Sequence, residues 1–187
     1  MTSTGIDQAL WAFGRGSGIA ALVVLTVALA AGIAARSGRA VLLPRTGLAE
    51  FHRGAAISAT ALVGLHVLSL LIDPHAQLRL IDVLVPFAGS YRPMWLGLGT
   101  VAVDLLAAIM ISALLRRRIG PRAFRLVHWA TYLLWPVALV HAVGAGSDNT
   151  QPWLLAVVVT CVCTIAAAVL WRMSSGFTEY RQLRSAR

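Results

Sequence analysis

Five stretches of about 20 residues or more, almost free of charged side chains, run through the chain. An α-helix rising ~1.5 Å per residue needs about that length to cross the hydrocarbon core of a bilayer. The blocks predict spans over about 16–35, 50–72, 94–115, 122–143 and 152–171. Little sequence is left for anything else. A soluble domain carries roughly 25% charged residues, whereas this chain carries 12%, with 58% hydrophobic residues and a mean hydropathy of +0.77. The fold class is therefore an all-α integral membrane protein with five transmembrane helices, a single membrane domain over 1–187 with a short tail at 173–187.

Pro44, Pro74, Pro93, Pro121 and Pro152 lie at or beside predicted span ends, where a residue without an N–H costs least. Pro136 is the exception, inside the fourth span. All 16 basic residues are arginine and the net charge is +9. A nucleic-acid-binding face would gather such charge on one surface. Here it gathers at span ends. Arg36, Arg39, Arg45 and Arg53 flank the first connection, and Arg116, Arg117, Arg118, Arg122 and Arg125 the third. Arg172, Arg181, Arg184 and Arg187 follow the last span, leaving only Arg15, Arg79 and Arg92 on the other side. The positive-inside rule makes the larger set cytoplasmic, with the N-terminus outside and the C-terminus inside. This predicts a multi-pass protein of a bacterial cytoplasmic membrane, with lipid and no nucleic acid as partner. The first block is longer than a secretory signal core, and Arg36 and Arg39 follow it, so it reads as a span.

Four histidines fall inside spans. His52 and His66 lie fourteen residues apart on the second span; His128 and His141 lie thirteen apart on the fourth. Both spans run in the same direction, so each has one histidine near the inner face and another about 20 Å further out. His52 then matches His128 in depth, and His66 matches His141. Two imidazoles on opposite sides of a flat ring are what axial ligation of a haem iron requires. A lone intramembrane histidine usually makes a hydrogen bond between helices. A matched quartet points instead to two b-type haems, since Cys-x-x-Cys-His is absent from the sequence. Fourteen residues fall only about 40° short of four turns, but thirteen fall about 140° short. An overwound turn near Pro136 is expected to bring His141 back into line.

These residues resemble the ferric-reductase-like transmembrane domain shared by ferric reductases, NADPH oxidases and the haem-binding membrane subunit of the periplasmic methionine-sulfoxide reductase system. The resemblance rests on His52-Arg53 and His66, on His128, Tyr132 and His141, and on Arg116-Arg117-Arg118-Ile119-Gly120. It covers roughly residues 15–172 and implies a di-haem core passing electrons outward from the cytoplasmic side. Larger family members add a cytoplasmic flavin and nicotinamide domain. This sequence ends about sixteen residues after the fifth predicted span, and Gly14-x-Gly16-x-Gly18 precedes a span with no strand before it, so it is no dinucleotide fingerprint. The expected donor is a quinol or a separate flavoprotein reductase, and the acceptor an external protein or small molecule. The chain is then an oxidoreductase subunit.

Haem propionates need cationic partners. Arg53 and Arg125 are candidates at the inner site, and Arg92 at the outer one. Asp104, midway along the third span, is expected to be buried or to face a cavity, with a hydrogen bond to another helix favoured over a proton or quinone role. His75 reads as a loop residue. Gly64, Gly97 and Gly99 either make room for a macrocycle or mark close helix contact. Cys161 and Cys163 point to different sides of one helix and read as small apolar packers. No Ser-His-Asp or paired-carboxylate constellation is evident. The competing class is a proton- or metal-coupled transporter without haem.

Overall fold

The computed structural model describes residues 3–37, 44–146 and 150–179. Arg39, Arg181, Arg184 and Arg187, used above for topology, lie outside the described residues. The described chain is helical: α1 Ser3–Arg36, α2 Arg45–Ile72, α3 Leu80–Leu84, α4 Pro93–Leu114, α5 Arg116–His128, α6 Thr131–Ala145 and α7 Pro152–Met173. Four helices are long and apolar enough to cross a membrane, and a fifth span arises if α5 and α6 form one bent crossing. This is a multi-pass α-helical membrane protein.

The first span is longer than expected. α1 runs on toward the N-terminus through Gly14, Gly16 and Gly18, because alanine and leucine on either side keep the segment helical. The fourth expected span is broken. α5 and α6 meet at 46° across Trp129 and Ala130. Around the break the amides of Ala130, Tyr132 and Leu133 donate to carbonyls only three residues back, at 2.9, 3.1 and 3.0 Å. That pattern winds tighter than an α-helix, advancing about 20° more per residue. Overwinding was expected beside Pro136; it occurs one turn earlier. A proline leaves the carbonyl four residues before it without its usual amide donor, here Tyr132, and the irregular turn ends there. α5 has its own break at Gly120 (φ 78, ψ 167), a conformation open essentially to glycine and set next to Pro121.

The chain divides into two compact units. One comprises Met1–Leu22 with Thr60–Asn149, the other Val23–Ala59 with Thr150–Arg187. Both α1 and α2 contribute a part to each. In the first unit α4 packs along α6 with Trp95 lying over Gly144, where a Cβ would collide with the indole. α3 folds back on α4: Thr100 Oγ1 donates to the Asp82 carbonyl at 2.6 Å, and the Phe87 ring covers Gly97. In the second unit Glu179 accepts Arg36 Nη2 at 3.3 Å and lies 3.7 Å from Arg172 Nη2, fastening the segment after α7 to the end of α1. Cys161 is buried and Cys163 exposed on α7; both are free thiols.

Candidate haem-ligand site

Helix α2 presents His66 to the first compact unit and α6 presents His141 to the same unit. Their ring centroids are 6.4 Å apart with planes at 78°. The break between α5 and α6 accounts for part of this meeting, since three or four overwound residues recover about half of the ~140° deficit. Edge-on aromatic contact also occurs at such distances. The hydrogen bonds of the two rings determine which nitrogen of each is left to act as a donor.

Each imidazole has one nitrogen held by a backbone carbonyl. His66 Nδ1 is 2.7 Å from the Gly14 carbonyl, which also accepts Ser17 Oγ at 3.0 Å. His141 Nδ1 is 2.8 Å from the Trp95 carbonyl. A carbonyl only accepts, so Nδ1 must carry the proton and Nε2 keeps its lone pair. Metal-binding histidines are oriented in this way by their second nitrogen. With metal–nitrogen bonds of about 2 Å and nitrogens about 1.1 Å from the ring centres, two axial imidazoles have centroids about 6 Å apart. The observed separation fits such a pair, and so does the donor chemistry.

His52 repeats the arrangement in the second unit, with Nδ1 2.8 Å from the Ala28 carbonyl. His128 belongs to the first unit, half-buried at the end of α5, with its ring 5.1 Å from Phe124. The expected inner pair therefore divides between the two units. Among the described residues no group of three or more His, Cys, Asp and Glu side chains could hold a metal ion. Axial haem ligation needs only two.

The supporting residues fall as follows. Arg92 has φ 43 and directs its guanidinium to the last turn of α6, with Nη2 2.8 Å from the Gly144 carbonyl and Nη1 3.3 Å from that of Ala145. It ties down the end of the helix that bears His141. Arg53 is exposed, and Arg125 Nε donates to the Pro121 carbonyl at 3.2 Å. Tyr132 is half-buried with its ring 5.5 Å from Trp129. His75 is an exposed loop residue whose backbone N–H donates to Asp73 Oδ1 at 2.9 Å.

Neither the burial nor the interhelix hydrogen bond expected of Asp104 is found: the residue is exposed on α4 and makes no hydrogen bond among the described residues. It follows Gly99 by five positions, about 140° around the helix, and so faces away from the side that His141 occupies. Arg79 and Asp82 were not anticipated as a pair. The Asp82 carboxylate accepts Arg79 Nη2 at 3.0 Å, Nε at 3.2 Å and the Arg79 backbone N–H at 3.0 Å. Those hydrogen bonds hold its pKa below the ordinary carboxylate value.

Residues 17–139 match the family described as ferric reductase like transmembrane component. The matched stretch contains His52, His66 and His128 and stops two residues before His141. No curated protein and no solved structure matches the chain.

Proposed function

The chain belongs to the ferric-reductase-like transmembrane family, and from that premise we propose that it is a di-haem b electron-transfer subunit. It takes electrons from a quinol or a separate flavoprotein at the cytoplasmic side and delivers them to an external acceptor. One observation carries the proposal. The ring centroids of His66 and His141 are 6.4 Å apart, a separation that two ligands of one iron would have, and each has Nδ1 occupied by a main-chain carbonyl, leaving Nε2 as the donor atom. Haem bound there supplies one-electron chemistry that no side chain here can supply.

The protein's own contribution is to bind and orient. His66 and His141 would hold the outer group. Sequence spacing assigns His52 and His128 to an inner one, supported by the carbonyl that fixes His52. Arg53 and Arg125 would supply cations at the cytoplasmic side, where acidic haem edges require them. The arginine distribution supports an orientation with the N-terminus outside and the C-terminus inside, and the membrane proposed is a bacterial cytoplasmic one.

Protein purified from membranes with haem supply should show a low-spin b-type reduced-minus-oxidised spectrum and two haems per chain. A colourless, fully folded protein would overturn the proposal and favour a transporter.

A further inference from the structure

Three of the four intramembrane histidines rest on a glycine of a neighbouring helix. A Cβ built on Gly18 would lie 2.9 Å from His66 Nδ1 and Cε1. One on Gly32 would lie 3.0 Å from the same atoms of His52, and one on Gly99 would lie 2.6 Å from His141 Cε1 and 2.9 Å from its Nδ1. In every case the carbonyl that Nδ1 meets belongs to the residue four positions before the glycine. The pairs are Gly14 and Gly18, Ala28 and Gly32, Trp95 and Gly99.

Helix geometry explains the coincidence. A helical side chain leans toward the N-terminus and covers the turn before its own Cα. The Cβ at one position therefore screens the carbonyl four residues earlier from lateral approach. Removing that Cβ opens the carbonyl, whose second lone pair can accept a donor from another helix while the first keeps the helical bond. Glycine in a helix costs up to ~1 kcal/mol relative to alanine, so a recurrent glycine at this offset needs a reason. The spacing supplies one. Gly18 and Gly32 are fourteen residues apart on α1, as His52 and His66 are on α2, and the order is reversed as for antiparallel helices. Gly16, Gly54 and Gly64, on the same two helices, would meet nothing within 4 Å if a Cβ were added.

We propose that Gly18, Gly32 and Gly99 are positioning residues, each opening a main-chain carbonyl that fixes the tautomer and aim of one haem-ligand histidine. α1 carries two of these seats although it bears none of the four histidines. The inference rests on the haem reading for its purpose, but the seat itself is a property of the polypeptide. An alanine at any seat pushes the imidazole off its carbonyl. The ligand then loses a hydrogen bond that raises its basicity, the oxidised metal is less well stabilised, and the midpoint potential of that one haem rises.

The test uses the full-length protein with Gly18→Ala, Gly32→Ala and Gly99→Ala, and Gly16→Ala and Gly54→Ala as controls. Redox titration and the low-spin ferric electron paramagnetic resonance signals are read for each haem. Gly18→Ala and Gly99→Ala should alter the same signal, raise the same potential and weaken retention of that haem by about tenfold. Gly32→Ala should alter the other haem, and the controls neither. Unchanged signals in all three seat variants, or equal effects in the controls, would overturn the proposal. Ring-nitrogen NMR of full-length protein prepared without haem covers the case in which a seat variant fails to fold. Three histidines locked with the proton on Nδ1 support the seats; protons on Nε2 refute them. A wild-type chain that takes up no haem but keeps the three locked tautomers refutes the function and leaves the seats standing.

Discussion

Arg92 offers the sharpest test of how the end of α6 is held. Its guanidinium makes one half-buried hydrogen bond at 2.8 Å to the Gly144 carbonyl and one exposed bond at 3.3 Å to that of Ala145. Buried charge-assisted hydrogen bonds contribute ~1.5–3 kcal/mol, and solvent reduces an exposed one to a few tenths. A cation at a helix C-terminus adds ~0.3–1 kcal/mol. Discounting for exposure, Arg92→Ala should cost the last turn about 1.5 kcal/mol, so that amides near residues 140–146 exchange about tenfold faster. The backbone provides an internal control. Arg92 sits at φ 43, where a Cβ carries about 1 kcal/mol of strain. Arg92→Gly loses the same clamp but sheds that strain and should stay about 1 kcal/mol ahead of Arg92→Ala. Hydrogen-exchange mass spectrometry in lipid nanodiscs reads both. Unchanged protection in Arg92→Ala, or faster exchange in Arg92→Gly than in Arg92→Ala, would refute the clamp.

Three further outcomes follow from the loops and from α4. The folded-state pKa of Asp82 is lowered by its hydrogen bonds to Arg79, so this pair adds stability above about pH 4–5 and loses it as pH falls through the lowered value. Proteolysis of the 79–92 loop should accelerate in acid, and Asp82→Asn should flatten that dependence; an unaltered pH profile in the variant would contradict the assignment. Asp104→Leu should leave folding and haem content within experimental error, because the side chain has no hydrogen-bond partner among the described residues; loss of a haem would show that it serves the site. His75→Ala should leave the absorption spectrum unaltered, and a lost haem would make it a ligand.

The membrane class and the span positions were legible because apolar length alone determines them. The approach of His66 to His141 was legible because ionisable groups are rare in spans and these two were matched in depth. What escaped was angular detail. Nothing local to His141 announces that the helix breaks at Trp129 and Ala130, since both residues keep helical backbone angles and only the hydrogen-bond offsets change. The distortion was expected beside Pro136 because a proline is visible in a sequence and a shortened turn is not. The seats at Gly18 and Gly32 left a readable trace in their fourteen-residue separation, which matches His52 and His66, but reading it requires knowing that α1 runs antiparallel to α2 and touches it. The burial of Asp104 was misjudged because burial depends on which face of α4 meets its neighbours, and an apolar helix with a weak pattern does not announce that face.

Ligand knock-outs decide the central claim. In the oxidised full-length protein, the low-spin ferric signals should be recorded for wild type, His66→Ala, His141→Ala and the double variant. Each single change should abolish the same signal and leave one haem per chain, and the double variant should lose no more than either. Removal of different signals by the two changes, or retention of both signals in either, would mean that these imidazoles do not share a metal.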